Sequence, residues 1–285
     1  MNHTPLISIV IPCYRQAHFL GETIRSVLAQ FYRRFEIIVV DDGSPDNTAE
    51  VAARFKGLRY IRQRNLGLSA ARNAGLHQST GEHIVFLDAD DRLMPDALET
   101  GVDALRAQPE CAFVYGFCEL IAQDGSLIPT PPPVLIEEDH YRTLFKQNYI
   151  WTPGAVMFRR SIFARVKGFD QSFVRGCEDL DLYLRIAKDW TIHCHGKVIL
   201  QYRKHQASMS MRRFRMLRAS NELFRKQLSE VTGNRELEEL CRAKILPRHR
   251  LVMQHPAISP FISAVRVRTR LRAVKSYLQR VRQTR

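Results

Sequence analysis

Three carboxylates fall within four residues at Asp88, Asp90 and Asp91, directly after an apolar run. Unpaired carboxylates this close raise one another's pKa, so a cation is expected beside them. A hard divalent ion fits: Mg2+ and Mn2+ are commonly held by one or two carboxylates plus substrate phosphates. The competing reading is a helix start, with Asp90 or Asp91 favouring the dipole of a helix near Pro95. Asp41 and Asp42 follow a second apolar run in the same way. An acid there can accept a hydrogen bond from a ribose or a base N–H, or simply form an Asp-Gly turn. Arg72 and Asn73 stand near the start of a short helix in apolar surroundings. The guanidinium suits a base edge or an ion pair with Asp41 or Asp42. Glu178 and Asp179 precede a further helix; one carboxylate can cap it while its neighbour acts as a general base. Asp181 and Arg185, four apart, pair on one helix face and need no chemistry.

These groups need a scaffold that brings them together, and the hydrophobic pattern supplies one. Residues 6–11 and 35–40 are short apolar runs that read as buried strands, and 58–61 and 83–87 read as two further short strands. Between them Leu20, Ile24, Val27 and Leu28 recur at helical spacing, Asn47 or Thr48 can cap a helix, and residues 69–76 read as helical. A helix begins at Pro95 and runs to about residue 106. Strands alternating with helices imply an α/β domain with a mainly parallel sheet flanked by helices. In such sheets ligands sit beyond the carboxyl ends of the strands. Three strand ends carry polar groups: Pro12-Cys13-Tyr14, Asp41-Asp42 and the cluster at Asp88. From Ala112 the pattern changes to a hairpin over 112–128, a Pro-rich loop, and two strands at 191–194 and 198–203. Beyond Met211 it reads helical, with breaks near Gly233 and Pro247. The expected organisation is a catalytic domain over 1–210 and a helical basic extension over 211–285.

Composition narrows the class. The chain has 285 residues, 45% apolar and 25% charged, ordinary for a globular protein. No GxGxxG or GxxxxGK[ST] sequence is present, which removes the usual dinucleotide fingerprint and the P-loop. The six cysteines form no CxxC pair, which speaks against a structural zinc site. No apolar run approaches a membrane span and no secretory signal is seen, so a cytoplasmic protein is expected. The charge is uneven. Residues 1–200 hold 22 basic and 24 acidic side chains, a net of −2; residues 201–285 hold 21 and 5, a net of +16. The tail therefore calls for an anionic partner.

Taken together, the motifs resemble the family 2 glycosyltransferases, which have the GT-A nucleotide-sugar fold. The resemblance covers about residues 6–210. It rests on Pro12-Cys13-Tyr14 after the first strand, Asp41-Asp42-Gly43-Ser44, and Asn65-x-Gly67 with Ala71-Arg72-Asn73-x-Gly75. To these it adds Asp88-Ala89-Asp90-Asp91, Gly168-Phe169-Asp170, Glu178-Asp179-x-Asp181, and a closing Tyr202-Arg203-Lys204-His205 with Ser208 and Ser210. By position the resemblance implies that Pro12, Tyr14, Asp41 and Arg72 frame a nucleobase, commonly uracil, with Asp42 beside them. Asp88 contacts the ribose. Asp90 and His205 hold Mn2+ or Mg2+ at the diphosphate; Asp179 is the catalytic base, and Glu178 lies near the acceptor. The implied reaction is inverting transfer from a nucleotide-sugar donor, UDP-linked, to a hydroxyl of a glycan or lipid-linked acceptor. The implied setting is surface polysaccharide or glycolipid assembly. A catalytically inactive nucleotide-sugar or glycan-binding protein of the same fold is the alternative; the intact Asp88, Asp90 and Asp179 weigh against it. The Gln-x-x-Arg-Trp motif and membrane spans of the family's processive synthases do not occur, so transfer of one or a few sugars is expected.

In the tail, Ala264, Val267, Leu271, Val274, Leu278 and Val281 form one helical stripe among eight Arg and Lys, with no acid after residue 257. A basic amphipathic helix can lie in an anionic membrane interface, which would make the protein peripheral on the cytosolic face through residues 262–285. A coiled-coil seam for an oligomer and a phosphate-binding stripe for nucleic acid compete. An acidic strand-end pocket on a near-neutral body argues against nucleic acid. Co-sedimentation with anionic liposomes that is lost on truncation after Pro260 separates the membrane reading from the other two.

Overall fold

A computed structural model describes residues 3–206, 208 and 213–245. The basic stripe at 264–281 and Ser210 lie outside the described residues. The chain divides into two compact units, Met1–Met211 and Arg212–Arg285.

In the first unit, β1 (Ile7–Cys13) is followed by α1 (Ala17–Leu28), β2 (Phe35–Asp41), α2 (Thr48–Ala53), β3 (Leu58–Arg62), α3 (Leu68–Gln78) and β4 (His83–Phe86). β3, at the edge, has no buried residue, whereas β1, β2 and β4 are the apolar runs of the sequence. Their β-branched side chains suit a sheet covered on both faces, and every residue of β1 and β4 is buried. β1 pairs in parallel with β2 and β4, and β2 with β3. The register aligns Cys13 with Asp41 and Val10 with Phe86, so the three polar strand ends emerge at one edge of the sheet. α1 buries Phe19, Leu20, Ile24 and Val27 on its inner face; Leu28, at its last turn, is 41% exposed. α3 uses small residues to reach the sheet closely. A Cβ at Gly75 would stand 2.2 Å from Val10 Cγ1, so only glycine lets this helix lie directly on β1.

The second half of the sheet is mixed. It comprises β5 (Arg92–Leu93), β6 (Phe113–Ile121), β7 (Leu127–Ile128), β8 (Val156–Arg159) and β9 (Ile192–Arg203), with α4 (Ala97–Ala107) before β6. α5 (His140–Lys146) precedes β8; α6 (Phe163–Val166) and α7 (Glu178–Ala187) precede β9. The sheet order is β3-β2-β1-β4-β8-β6-β9-β5, with β7 on β6. β8 is antiparallel to both β4 and β6, and β5 is antiparallel to β9. The two strands expected at 191–194 and 198–203 are one strand, β9. Its pairing with β6 shifts register between Tyr115 and Cys118, next to Gly196 with φ +75°, which splits the hydrophobic pattern into two pieces.

In the second unit α8 (Arg213–Glu230) and α9 (Arg235–Lys244) pack against each other. The Asn234 side chain caps α9 by accepting from Leu237 N at 3.2 Å.

Candidate active site

The strand ends turn their carboxylates to different tasks. Asp41 is buried; its Oδ1 accepts from Ser44 N at 2.7 Å and its Oδ2 from Tyr60 Oη at 2.5 Å. Asp42 accepts from Gln63 Nε2 at 2.7 Å, Leu66 N at 2.9 Å and Gly67 N at 2.8 Å. It thereby folds the 63–67 loop back over the end of β2. Both are fixed from within the fold; the exposed Arg62 approaches Asp41 Oδ2 at 3.9 Å, and the exposed Tyr14 follows the buried Pro12-Cys13 at the end of β1. Cys13, buried between them, has its thiol pushed up to about 11 by burial.

Arg72 carries the centre of the site. It is 1% exposed. Its Nη2 donates to Asp88 Oδ1 at 2.7 Å and its Nη1 to Glu178 Oε1 at 2.8 Å. The guanidinium stands 5.1 Å from the centroid of the Phe169 ring, within cation–π range. The expected ion pair with Asp41 or Asp42 is therefore replaced by one with Asp88 and Glu178. α3 packs on β1 and β2, and from there the long Arg72 side chain reaches Asp88, just beyond the end of β4. The other wall is brought up by Asn73: its Nδ2 donates to Phe169 O and its Oδ1 accepts from Phe169 N, both at 2.8 Å. Gly168 makes that clamp possible, since its φ is +82° and a Cβ there would stand 2.4 Å from Asn73 Oδ1. Arg185 pairs with the buried Asp181 at 2.8 Å and donates to Val166 O and Gly168 O. That pair is structural, as its spacing suggested, and it anchors the same turn from the far side.

Within the cluster at β4 the three acids part company. Asp88 points to Arg72 and, through Oδ2, to Thr152 Oγ1 at 3.4 Å. Burial raises its carboxyl above the usual range while Arg72 opposes the shift. Asp90 Oδ2 lies 2.8 Å from His205 Nε2 and accepts from Gln16 Nε2 at 3.2 Å. Asp91 turns inward, is fully buried and accepts from Arg203 N at 2.9 Å. Burial and its two acidic neighbours hold its carboxyl well above the usual range. Neither Asp90 nor Asp91 caps a helix: α4 begins at Ala97, with Asp96 at its N-cap.

Glu178 opens α7 and is committed to Arg72; Asp179 beside it accepts from Leu180 N at 2.7 Å. Burial, with the Glu178 charge adding to it, pushes Asp179 up to about 7. A carboxylate poised near neutrality is suited to general-base work. One arginine thus joins the strand-end acid Asp88 to Glu178, the first of two adjacent carboxylates at the start of α7.

Among the described residues no group of three or more His, Cys, Asp or Glu forms a ready-made metal cage. Asp90 and His205 do supply two donors, a carboxylate oxygen and an imidazole nitrogen. Two protein ligands completed by phosphate oxygens suit a hard divalent ion, and imidazole is compatible with Mn2+. The residues therefore fit such an ion. Sequence reasoning missed Gln16 and Glu22 and gave Thr152, Phe169 and Arg203 no individual role. Phe169 and Arg203 lie inside recognised motifs, whereas Glu22 carries no local signal.

The model of Glycosyl transferase family 2 matches residues 8–167. An uncharacterised glycosyltransferase of Rickettsia felis is 30% identical over 241 residues, covering 81% of this chain; the chain spans 39% of that relative's length. The structure of S. aureus TarS 1-349 in complex with UDP-GlcNAc aligns with a TM-score of 0.64 at 17% identity, over 82% of this chain and 70% of that one. The mannosyltransferase PcManGT from Pyrobaculum calidifontis, in complex with GDP-Man and Mn2+, aligns at 0.61 and 18%, over 93% and 81%. At those identities the structures speak for the fold, a curled α/β sheet of the GT-A kind. The family match spans more than half of the chain and includes Asp41, Arg72 and Asp88, and the chain belongs to glycosyl transferase family 2.

Proposed function

We propose that the chain transfers a sugar, with inversion, from a UDP-linked donor to a hydroxyl of a glycan or lipid-linked acceptor. One observation carries the reading: Arg72 ties Asp88 to Glu178, and so places a base near neutrality, Asp179, beside the acid at the end of β4. Tyr14 offers its exposed ring to the nucleobase, with Pro12, Asp41 and Asp42 shaping the floor and rim of that pocket. Asp88 would meet the ribose through Oδ2, the oxygen that Thr152 Oγ1 approaches at 3.4 Å, while Oδ1 stays on Arg72. Arg72, both of whose terminal nitrogens are engaged, holds the two halves together rather than reading a base edge. Asp90 and His205 would hold a divalent ion, which when bound neutralises charge developing on the leaving diphosphate. Asp179 takes the proton of the acceptor hydroxyl as it attacks the anomeric carbon from the face opposite the leaving group. A single base and direct displacement give inversion, with no covalent sugar intermediate.

An anionic membrane surface met through 262–285 fits a lipid-linked acceptor. Calorimetric titration with UDP, GDP and TDP, with and without Mn2+, tests the core of the reading. UDP is expected to bind in a Mn2+-dependent way in the wild type, and Asp90→Ala to remove the metal dependence. Absence of nucleotide binding under every condition would sink the proposal.

A further inference from the structure

Arg203 is the last residue of β9 and stands two residues before His205. It is 1% exposed, an unusual place for a guanidinium, and it is engaged along its whole length. Its backbone N donates to Asp91 Oδ1 at 2.9 Å and its Nε to the carbonyl of Asp90 at 2.8 Å. Nη1 donates to Gln123 O at 2.8 Å and Nη2 to Glu22 Oε2 at 2.6 Å. The same guanidinium lies 4.7 Å from the Phe19 ring centroid, and that ring is 5.0 Å from the His205 imidazole. Arg203 thus grips the peptide of Asp90 with one nitrogen while its own strand delivers His205 to the Asp90 carboxylate. Glu22 and Phe19, one turn apart on α1, back it from behind. From the same helix Thr23 Oγ1 reaches the carbonyls of Ala89 and Asp91, both at 2.8 Å.

We infer that Glu22 and Arg203 are positioning residues that fix the separation of Asp90 and His205, and thereby set the affinity of the site for its divalent ion. The inference rests on the reading of Asp90 and His205 as metal ligands given above. Its physical basis is general: a pair of ligands on two different strand ends binds an ion tightly only if the fold holds them at the right distance beforehand. Residues that orient ligands typically account for 10–100-fold in metal affinity when altered. The alternative is that the Glu22–Arg203 pair merely supports the fold.

The test uses the full chain and three proteins: wild type, Glu22→Gln and Arg203→Lys. UDP affinity is measured across a Mn2+ series, free Mn2+ is followed by electron paramagnetic resonance, and thermal unfolding reports folding. Glu22 is 39% exposed at its side chain, so its Gln variant keeps the inference testable should Arg203→Lys fail to fold. The expected result is metal-free UDP affinity within twofold of wild type in both variants. The Mn2+ concentration for half-maximal enhancement should rise about tenfold in Glu22→Gln and about 10–100-fold in Arg203→Lys. A wild-type Mn2+ response in the folded variants overturns the inference and leaves the metal reading intact. So does a lowered melting temperature with weaker metal-free UDP binding and an unchanged Mn2+ half-point. UDP binding by the wild type that is indifferent to Mn2+ overturns the metal reading and this inference with it.

Discussion

Replacing Arg72 by Met keeps most of the apolar stem and its contact with Phe169 but deletes the charge that Asp88 and Glu178 share. The side chains of Arg72 and Glu178 are 2% and 6% exposed, and that of Asp88 is 25% exposed. For unit charges about 4 Å apart, an effective dielectric near 20 gives about 4 kcal/mol per pair. Removing one partner of a buried pair costs about 3–5 kcal/mol, because the other charge is left stranded. Glu178 carries most of that loss, since Asp88 retains some access to water. Urea unfolding at pH 7.5, followed by tryptophan fluorescence, should therefore show Arg72→Met destabilised by about 3–5 kcal/mol. Adding Glu178→Gln removes the stranded charge, so the double variant should be more stable than Arg72→Met alone by about 2 kcal/mol or more. A loss below about 1 kcal/mol, the range of an exposed pair, would refute the argument that Arg72 is the buried tie of the site. So would a Glu178→Gln substitution that only deepens the loss.

Two further expectations follow from the same geometry. Asp179, pushed by burial from the ordinary aspartate range up to about 7, should give kcat/KM that rises with pH up to about 7 and then levels, read as UDP release from the donor. Because its folded pKa is raised, the protonated carboxyl supports the fold below pH 4, and this support is lost as pH rises through about 7. Asp179→Asn should then be inactive yet more stable than wild type above pH 7, by about 1–3 kcal/mol, with no gain near pH 4. An equal difference at both pH values contradicts this. Gly168→Ala meets a left-handed backbone and the Asn73 oxygen 2.4 Å from the new Cβ. It should cost about 2–4 kcal/mol, from backbone strain and the two hydrogen bonds that clamp Phe169, and a melting temperature equal to wild type would show that the turn can shift without loss.

The parallel half of the sheet was legible in the sequence because β1, β2 and β4 are short runs of buried β-branched and aromatic residues, each ending in a polar group. The sequence marks such strands locally, and the rule that ligands sit beyond their carboxyl ends carried the reading on to Asp41, Asp42, Asp88 and Asp90. The mixed half was legible only in part: the hairpin of β6 and β7 and the residues of β9 are marked in the sequence, whereas β5 and β8 are not. β5 has only two residues, and β8 is a four-residue strand flanked by 3-10 turns at Pro153–Ala155 and Arg160–Ile162, too short for any periodicity to show. β9 looked like two strands because an irregular pairing with β6 exposes its middle.

The site divides in the same way. Which residues are acids, and that they cluster at strand ends, is a property of neighbours in the chain, and the sequence determined it. Which acid faces which base is not. Arg72 was read as suiting a base edge or Asp41 or Asp42; it meets Asp88, 16 positions away, and Glu178, 106 positions away, and Arg203 meets Glu22 across 181 positions. Ion pairs over such distances are chosen by where helices dock on the sheet, as α3 docks on β1 through Gly75. Docking is settled by packing among side chains that are far apart along the chain, so no local pattern records it, and only the tertiary structure decides that Asp91 turns inward while Asp90, one residue before it, meets His205.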